Sequence, residues 1–99
     1  MGATVVRYKA KPDRADENQE YVEKVFAELA TTAPEGLRYA TFRLADGVSF
    51  VHVAFVDTPD GSNPLSSTPA FASFVAGIAD RCDEPPVATE ATVVGSYNF

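Results

Sequence analysis

The sequence predicts one α+β domain of order β-α-β-β-α-β, and three observations carry that prediction. Residues 37–56 read as a β-hairpin, two β-rich runs joined at Asp46-Gly47, a pair that favours the φ > 0 conformations of tight hairpin turns. Two other stretches repeat their apolar residues at helical spacing. Runs rich in β-branched residues lie towards each end of the chain.

Taken in order, residues 4–10 (Thr4, Val5, Val6, Arg7, Tyr8, Lys9, Ala10) form a first strand, closed by Lys11-Pro12. Asp13 is the expected N-cap of the helix that follows, with Asp16 and Glu17 in its first turn where the helix dipole favours acids. Val22, Val25, Phe26 and Leu29 fall at i, i+3, i+4 and i+7 on one face, and Glu20 and Lys24 make an i,i+4 pair on the other. Pro34 and Gly36 end this helix before the hairpin. A two-residue loop at Asp46-Gly47 sets the hairpin register: Thr41 opposite His52, Arg43 opposite Phe50, and Phe42 opposite Val51 on the other face. Residues 57–64 are rich in Asp, Pro, Gly and Asn and read as a loop. Thr68-Pro69 starts a second helix, with Phe71, Phe74, Val75, Ile78, Ala79 and Cys82 on one face and Pro85-Pro86 as its end. Residues 87–99 are read as the last strand, with Gly95 as a bulge or close approach.

This order is the ferredoxin-like arrangement, and right-handed crossovers give an antiparallel sheet of order 4-1-3-2 with both helices on one face. The hairpin has little of the apolar-polar alternation that marks a sheet with one wet side. Arg38, Ala40, Phe42, Leu44, Val51, Val53 and Phe55 share the drier face, expected under the helices. Tyr39, Thr41, Arg43, Phe50, His52 and Ala54 share the other, a mix of aromatic bodies and polar tips expected at a subunit interface. A second copy of the chain is therefore the expected partner, sheet face against sheet face.

The bulk properties exclude several classes. Eight Lys and Arg against 14 Asp and Glu leave a net charge of −6, which disfavours nucleic acid. The apolar runs are too short to span a membrane, and no apolar signal segment precedes the first strand pattern. With one cysteine, Cys82, a cytoplasmic protein without internal disulfides is expected. The sequence has no glycine-rich phosphate cradle and no zinc or calcium ligand spacing, so neither cofactor nor metal is expected.

The whole layout, and the segment Val51-His52-Val53-Ala54-Phe55-Val56-Asp57 in particular, resembles the dimeric α/β-barrel superfamily, in its antibiotic-biosynthesis-monooxygenase-like branch. Phe55 falls where many members carry an aromatic residue, and Val53 where many carry Glu. The haem-degrading branch uses an Asn on the first strand, a Trp on the third and a His on the second helix. This chain offers Arg7 and Tyr8, then Phe55, and no His between Phe71 and Cys82. The resemblance implies a homodimer binding a small aromatic or polyketide-like molecule. If catalytic, it implies a cofactor-independent monooxygenase or isomerase; in the monooxygenase the protein deprotonates and positions a substrate that itself reacts with oxygen.

Candidate catalytic residues follow from chemistry and strand parity. His52, the only histidine, is the candidate base, with Thr41 fixing its tautomer. Tyr39 and Arg43 share its face and are candidate stabilisers of an enolate or phenolate. Arg38, Phe42, Val53 and Phe55 are the candidate substrate walls. Each has a plainer reading: an interface histidine, interface Tyr and Arg residues, and core or surface packing. Those readings together describe the alternative function, a non-catalytic dimeric binding or interaction module.

Overall fold

The computed structural model describes residues 2–97. Met1, Asn98 and Phe99 lie outside the described residues, as does the end of the expected last strand at 98–99. The elements are β1 (Gly2–Ala10), α1 (Ala15–Thr32), β2 (Leu37–Arg43), β3 (Ser49–Val56), a 3-10 turn (Pro64–Ser67), α2 (Pro69–Ala76), α3 (Ile78–Arg81) and β4 (Cys82–Ala91). The four strands pair antiparallel in the order β2-β3-β1-β4, the expected 4-1-3-2 read from the opposite edge.

The hairpin register is the expected one, with Thr41 opposite His52, Phe42 opposite Val51 and Arg43 opposite Phe50. The turn reaches that register by another route. Only Gly47 of the expected pair has positive φ, at +78°, and its N–H donates to the Leu44 carbonyl. Asp46 instead accepts from the Ser49 hydroxyl and from the backbone N–H groups of Ser49 and Val48, which lowers the pKa of its carboxyl to about 2. At the other end of the hairpin Gly36, also at φ +78°, receives the Asp57 N–H on its carbonyl, and a side chain there would collide with the Asp57 carbonyl oxygen.

Helix α1 begins one residue later than expected, with Arg14 rather than Asp13 as N-cap. Arg14 pairs with Glu17 at 2.7 Å in the first turn. Lys24 lies over the Tyr21 ring at 5.6 Å, a cation–π contact in place of the expected pair with Glu20. The helix ends where Ala33 turns left-handed (φ 43°) and donates to Leu29.

The second helix and last strand differ more from expectation. The apolar stripe ending at Cys82 is interrupted at Gly77, and Cys82 opens β4 instead of closing a helix. Pro85 and Pro86 lie inside β4 because β4 is an edge strand, paired only with β1, where a missing N–H costs no ladder bond. The pairing slips by one residue beside them, between Arg7↔Val87 and Lys9↔Glu84. The strand ends at Ala91, so Gly95 lies beyond it.

The two sheet faces are exchanged relative to expectation. Tyr8 on β1, with Phe50 and Ala54 on β3, forms the core with Val22 and Val25 of α1 and Phe74 of α2. His52 is buried on that same face. Phe42 is 53 % exposed on the opposite face. Apolar count favoured the Phe42 face, but the polar tips of Tyr8, Tyr39 and His52 satisfy one another and so bury at little cost.

Candidate functional site

A cavity of about 320 Å³ lies between the buried face of the sheet and α2, at the small end of the roughly 300–1,000 Å³ usual for ligand pockets. Alternation along the strands aims Thr4, Val6 and Tyr8 of β1 and His52 and Ala54 of β3 into it. Leu65 of the 3-10 turn and Phe71, Phe74 and Val75 of α2 form the opposite wall. Apart from Thr4 and Asn63, its polar lining is the cluster of Tyr8, Tyr39 and His52.

That cluster is tightly bonded. The Tyr8 hydroxyl lies 2.7 Å from His52 Nε2, and the Tyr39 hydroxyl and Thr41 Oγ1 lie 2.5 and 3.1 Å from Nδ1. Burial pushes the His52 pKa down to about 4, so the ring is neutral at pH 7. Burial also raises the Tyr39 hydroxyl to about 12 and the Tyr8 hydroxyl further, so both keep their protons. Asn18 of α1 donates to Tyr8 at 2.8 Å, and Arg81 of α3 donates to Asn18 at 3.2 Å.

Of the expected catalytic residues, the structure brings His52 and Tyr39 together at the cavity, with Thr41 on the His52 ring as expected. Arg43 points elsewhere. It bonds Asp16 at 3.0 Å and Gln19 at 2.7 Å on α1, and its Nε bonds the Gly47 carbonyl at 2.8 Å. The expected substrate walls Arg38, Phe42, Val53 and Phe55 are not among the residues around this cavity. Their strand positions put them on the opposite face, where Arg38 and Phe55 edge a separate depression with Gly36 and Asp57.

Asn18 and Arg81 were missed, although the sequence carried a signal for both. Asn18 stands four residues before Val22 and seven before Val25, on the apolar stripe of α1. Arg81 stands seven after Phe74 and three after Ile78, on the stripe of the second helical stretch. A polar residue on a buried stripe is the observation that asks for a partner. Among the described residues no cluster of His, Cys, Asp and Glu could hold a metal ion, and no helix is long and apolar enough to cross a membrane.

A four-stranded antiparallel sheet with helices on one face is the fold this chain shares with antibiotic biosynthesis monooxygenase-like structures. One such structure, described as an antibiotic biosynthesis monooxygenase, is 16 % identical, with a TM-score of 0.74 over 96 % of this chain and 100 % of its own. Rv0793 from Mycobacterium tuberculosis is 18 % identical, with a TM-score of 0.76 over 96 % of each chain. A variant of SnoaB, a cofactor-independent oxygenase from Streptomyces nogalater, is 16 % identical, with a TM-score of 0.70 over 99 % of this chain and 97 % of its own. No family model and no curated protein matches the sequence.

Proposed function

We propose that the cavity between sheet and α2 binds a small, flat, mostly apolar molecule by one oxygen, and that the protein oxygenates it without a cofactor. The observation carrying this reading is the cavity's composition: aliphatic and aromatic walls closed at one end by the Tyr39–His52 pair. SnoaB, a cofactor-independent oxygenase of the same fold, supports it. The chemistry suits a substrate whose methylene is acidified by a carbonyl conjugated with it through aromatic rings, such as anthrone. Its C–H proton passes to water at the cavity mouth, and the resulting enolate oxygen is held by the Tyr39 hydroxyl. The carbanion reduces dioxygen to a hydroperoxide on carbon, which loses water to leave a carbonyl, so CH2 and O2 become C=O and H2O.

In this reading His52 holds Tyr39 rather than acting as the base. Both of its ring nitrogens are occupied, and its pKa of about 4 makes it a weak proton acceptor. The same saturation favours a second reading, a binding module without turnover. Anthrone separates the two: oxygen uptake with one equivalent of anthraquinone formed supports the oxygenase. Binding with no uptake above the uncatalysed rate supports the module, and no binding contradicts both.

We further propose a homodimer through the uncovered sheet face. Phe42, Val51, Val5 and Val87 lie on it, with Phe42 53 % and Val87 64 % exposed. Burying such a face against its copy removes about 25 cal/mol per Å² of apolar surface from water. This is the face expected under the helices, so the proposed dimer keeps the partner expected from the sequence but exchanges its contact surface. The expected cytoplasmic location rests on the sequence alone: the single Cys82, the absence of an apolar signal segment before the first strand pattern, and apolar runs too short to span a membrane.

A further inference from the structure

One group in the polar cluster has no choice of hydrogen-bond direction. A guanidinium only donates. Arg81 is 2 % exposed; its Nε donates to Asn18 Oδ1 at 3.2 Å and its Nη2 to the Phe74 carbonyl at 2.7 Å. Its guanidinium carbon lies 4.3 Å from the centre of the Tyr21 ring, and among the described residues no carboxylate approaches within 4.0 Å. Gly77 leaves it room, since a Cβ there would come within 3.0 Å of Nη1.

The direction then propagates. Asn18 is fully buried and gives its oxygen to Arg81, so its NH2 faces Tyr8, at 2.8 Å. The Tyr8 oxygen accepts that bond, and the remaining acceptor for its own proton is His52 Nε2 at 2.7 Å. Nε2 therefore carries no hydrogen, and the neutral ring places its hydrogen on Nδ1. Nδ1–H donates to Tyr39 at 2.5 Å, with Thr41 Oγ1 at 3.1 Å. Tyr39 accepts, which leaves its own hydrogen for Thr41 or for a molecule in the cavity.

We propose that Arg81 is a positioning residue that acts through Asn18 and Tyr8 to hold His52 as the Nδ1–H tautomer and present the Tyr39 hydroxyl as a donor. The cavity thereby selects molecules carrying an acceptor oxygen, whether carbonyl, enolate or phenolate, over hydrocarbons of the same shape. The selectivity half of this inference rests on the cavity being the ligand site; the tautomer half does not.

His52 is the only histidine, so the imidazole 15N spectrum of the whole chain reports one ring. The wild type is expected to show a protonated Nδ1 and a bare Nε2. Asn18→Asp replaces the amide donor with a carboxylate that pairs with Arg81 and accepts from Tyr8. Nε2 must then donate, and the ring is expected to switch to the Nε2–H form. A wild-type ring protonated at Nε2, or a ring unchanged in Asn18→Asp, overturns the proposal. Arg81→Met gives a second reading should the first variant not fold: it frees the Asn18 amide to turn, so a mixture of tautomers is expected, and a pure Nδ1–H ring overturns the role of Arg81.

Selectivity is read with 1-tetralone and tetralin, which share a skeleton and differ by the carbonyl oxygen. The wild type is expected to prefer tetralone at least tenfold, and Asn18→Asp to lose at least half of that preference on a logarithmic scale. Equal affinity in the wild type overturns the selectivity. Binding of neither probe overturns the cavity reading and the selectivity with it, while the 15N spectrum still decides the tautomer.

Discussion

The Tyr8 hydroxyl lies 2.7 Å from Nε2 of His52, joining β1 to β3 on the face of the sheet that the helices cover. The stacked Phe50 ring, 5.4 Å from Tyr8, and the Phe74 ring, 5.3 Å from His52, wall this pair in. Its burial shapes both the cavity's polar end and the way stability responds to acid.

Because the folded His52 pKa is about 4 against 6.5 when unfolded, the unfolded chain binds a proton first as pH falls. Stability is therefore fully present above about pH 6.5 and is lost as pH drops towards 4, by at most about 3 kcal/mol. Urea unfolding at pH 7 and pH 4.5 checks this against His52→Gln, whose curve should lack that part of the loss. Asp46 acts lower, since its depressed pKa of about 2 withdraws its contribution below about pH 4.

Tyr39→Phe removes the hydroxyl proposed to hold the ligand while keeping the ring, which stacks on Phe26 at 5.1 Å. Losing one hydrogen bond worth roughly 1 kcal/mol should weaken 1-tetralone binding about five- to tenfold and leave tetralin unchanged. Isothermal titration with both probes measures the difference.

Phe42→Asp places a charge on the exposed sheet face, on the edge strand β2, without touching the cavity. Sedimentation should show the wild type at twice its 10.6 kDa chain mass and the variant as the single chain. A variant that stays dimeric would place the contact elsewhere.

Gly36→Ala tests the tight turn between α1 and the hairpin. The new methyl meets the Asp57 carbonyl at a residue already held at φ +78°, so a loss of about 2 kcal/mol or more is expected. For a chain this size that lowers Tm by about 8 °C or more. Gly47→Ala shares the positive φ but meets nothing within 4 Å, and should cost about 1 kcal/mol.

Hairpin register was legible because the two-residue turn at Asp46-Gly47 sets it locally, and strand order because the β-α-β-β-α-β succession with right-handed crossovers allows few topologies. The choice of buried face was not. Counting apolar residues ranked Phe42, Val51 and Val53 above Tyr39, Phe50 and His52. The count leaves out that Tyr8, Tyr39 and His52 bond one another, with Asn18 of α1 donating to Tyr8 and Arg81 of α3 donating in turn to Asn18. The break at Gly77 was hidden for a related reason: Cys82 continues the apolar spacing, so periodicity ran on into what is a strand. Pro85-Pro86 reads as a terminator unless the strand is known to be an edge. Within the site, His52 and Tyr39 were found by residue type and parity, whereas Arg43 shares their parity but is drawn to Asp16 and Gln19 at the strand end.

A crystal structure of the protein soaked with 1-tetralone tests the central reading most directly. The ring system should lie between Ala54 and Phe71, with its carbonyl oxygen in hydrogen-bonding distance of the Tyr39 hydroxyl. Density on the Phe42 face, or an empty space beneath α2 at saturating probe, would contradict it.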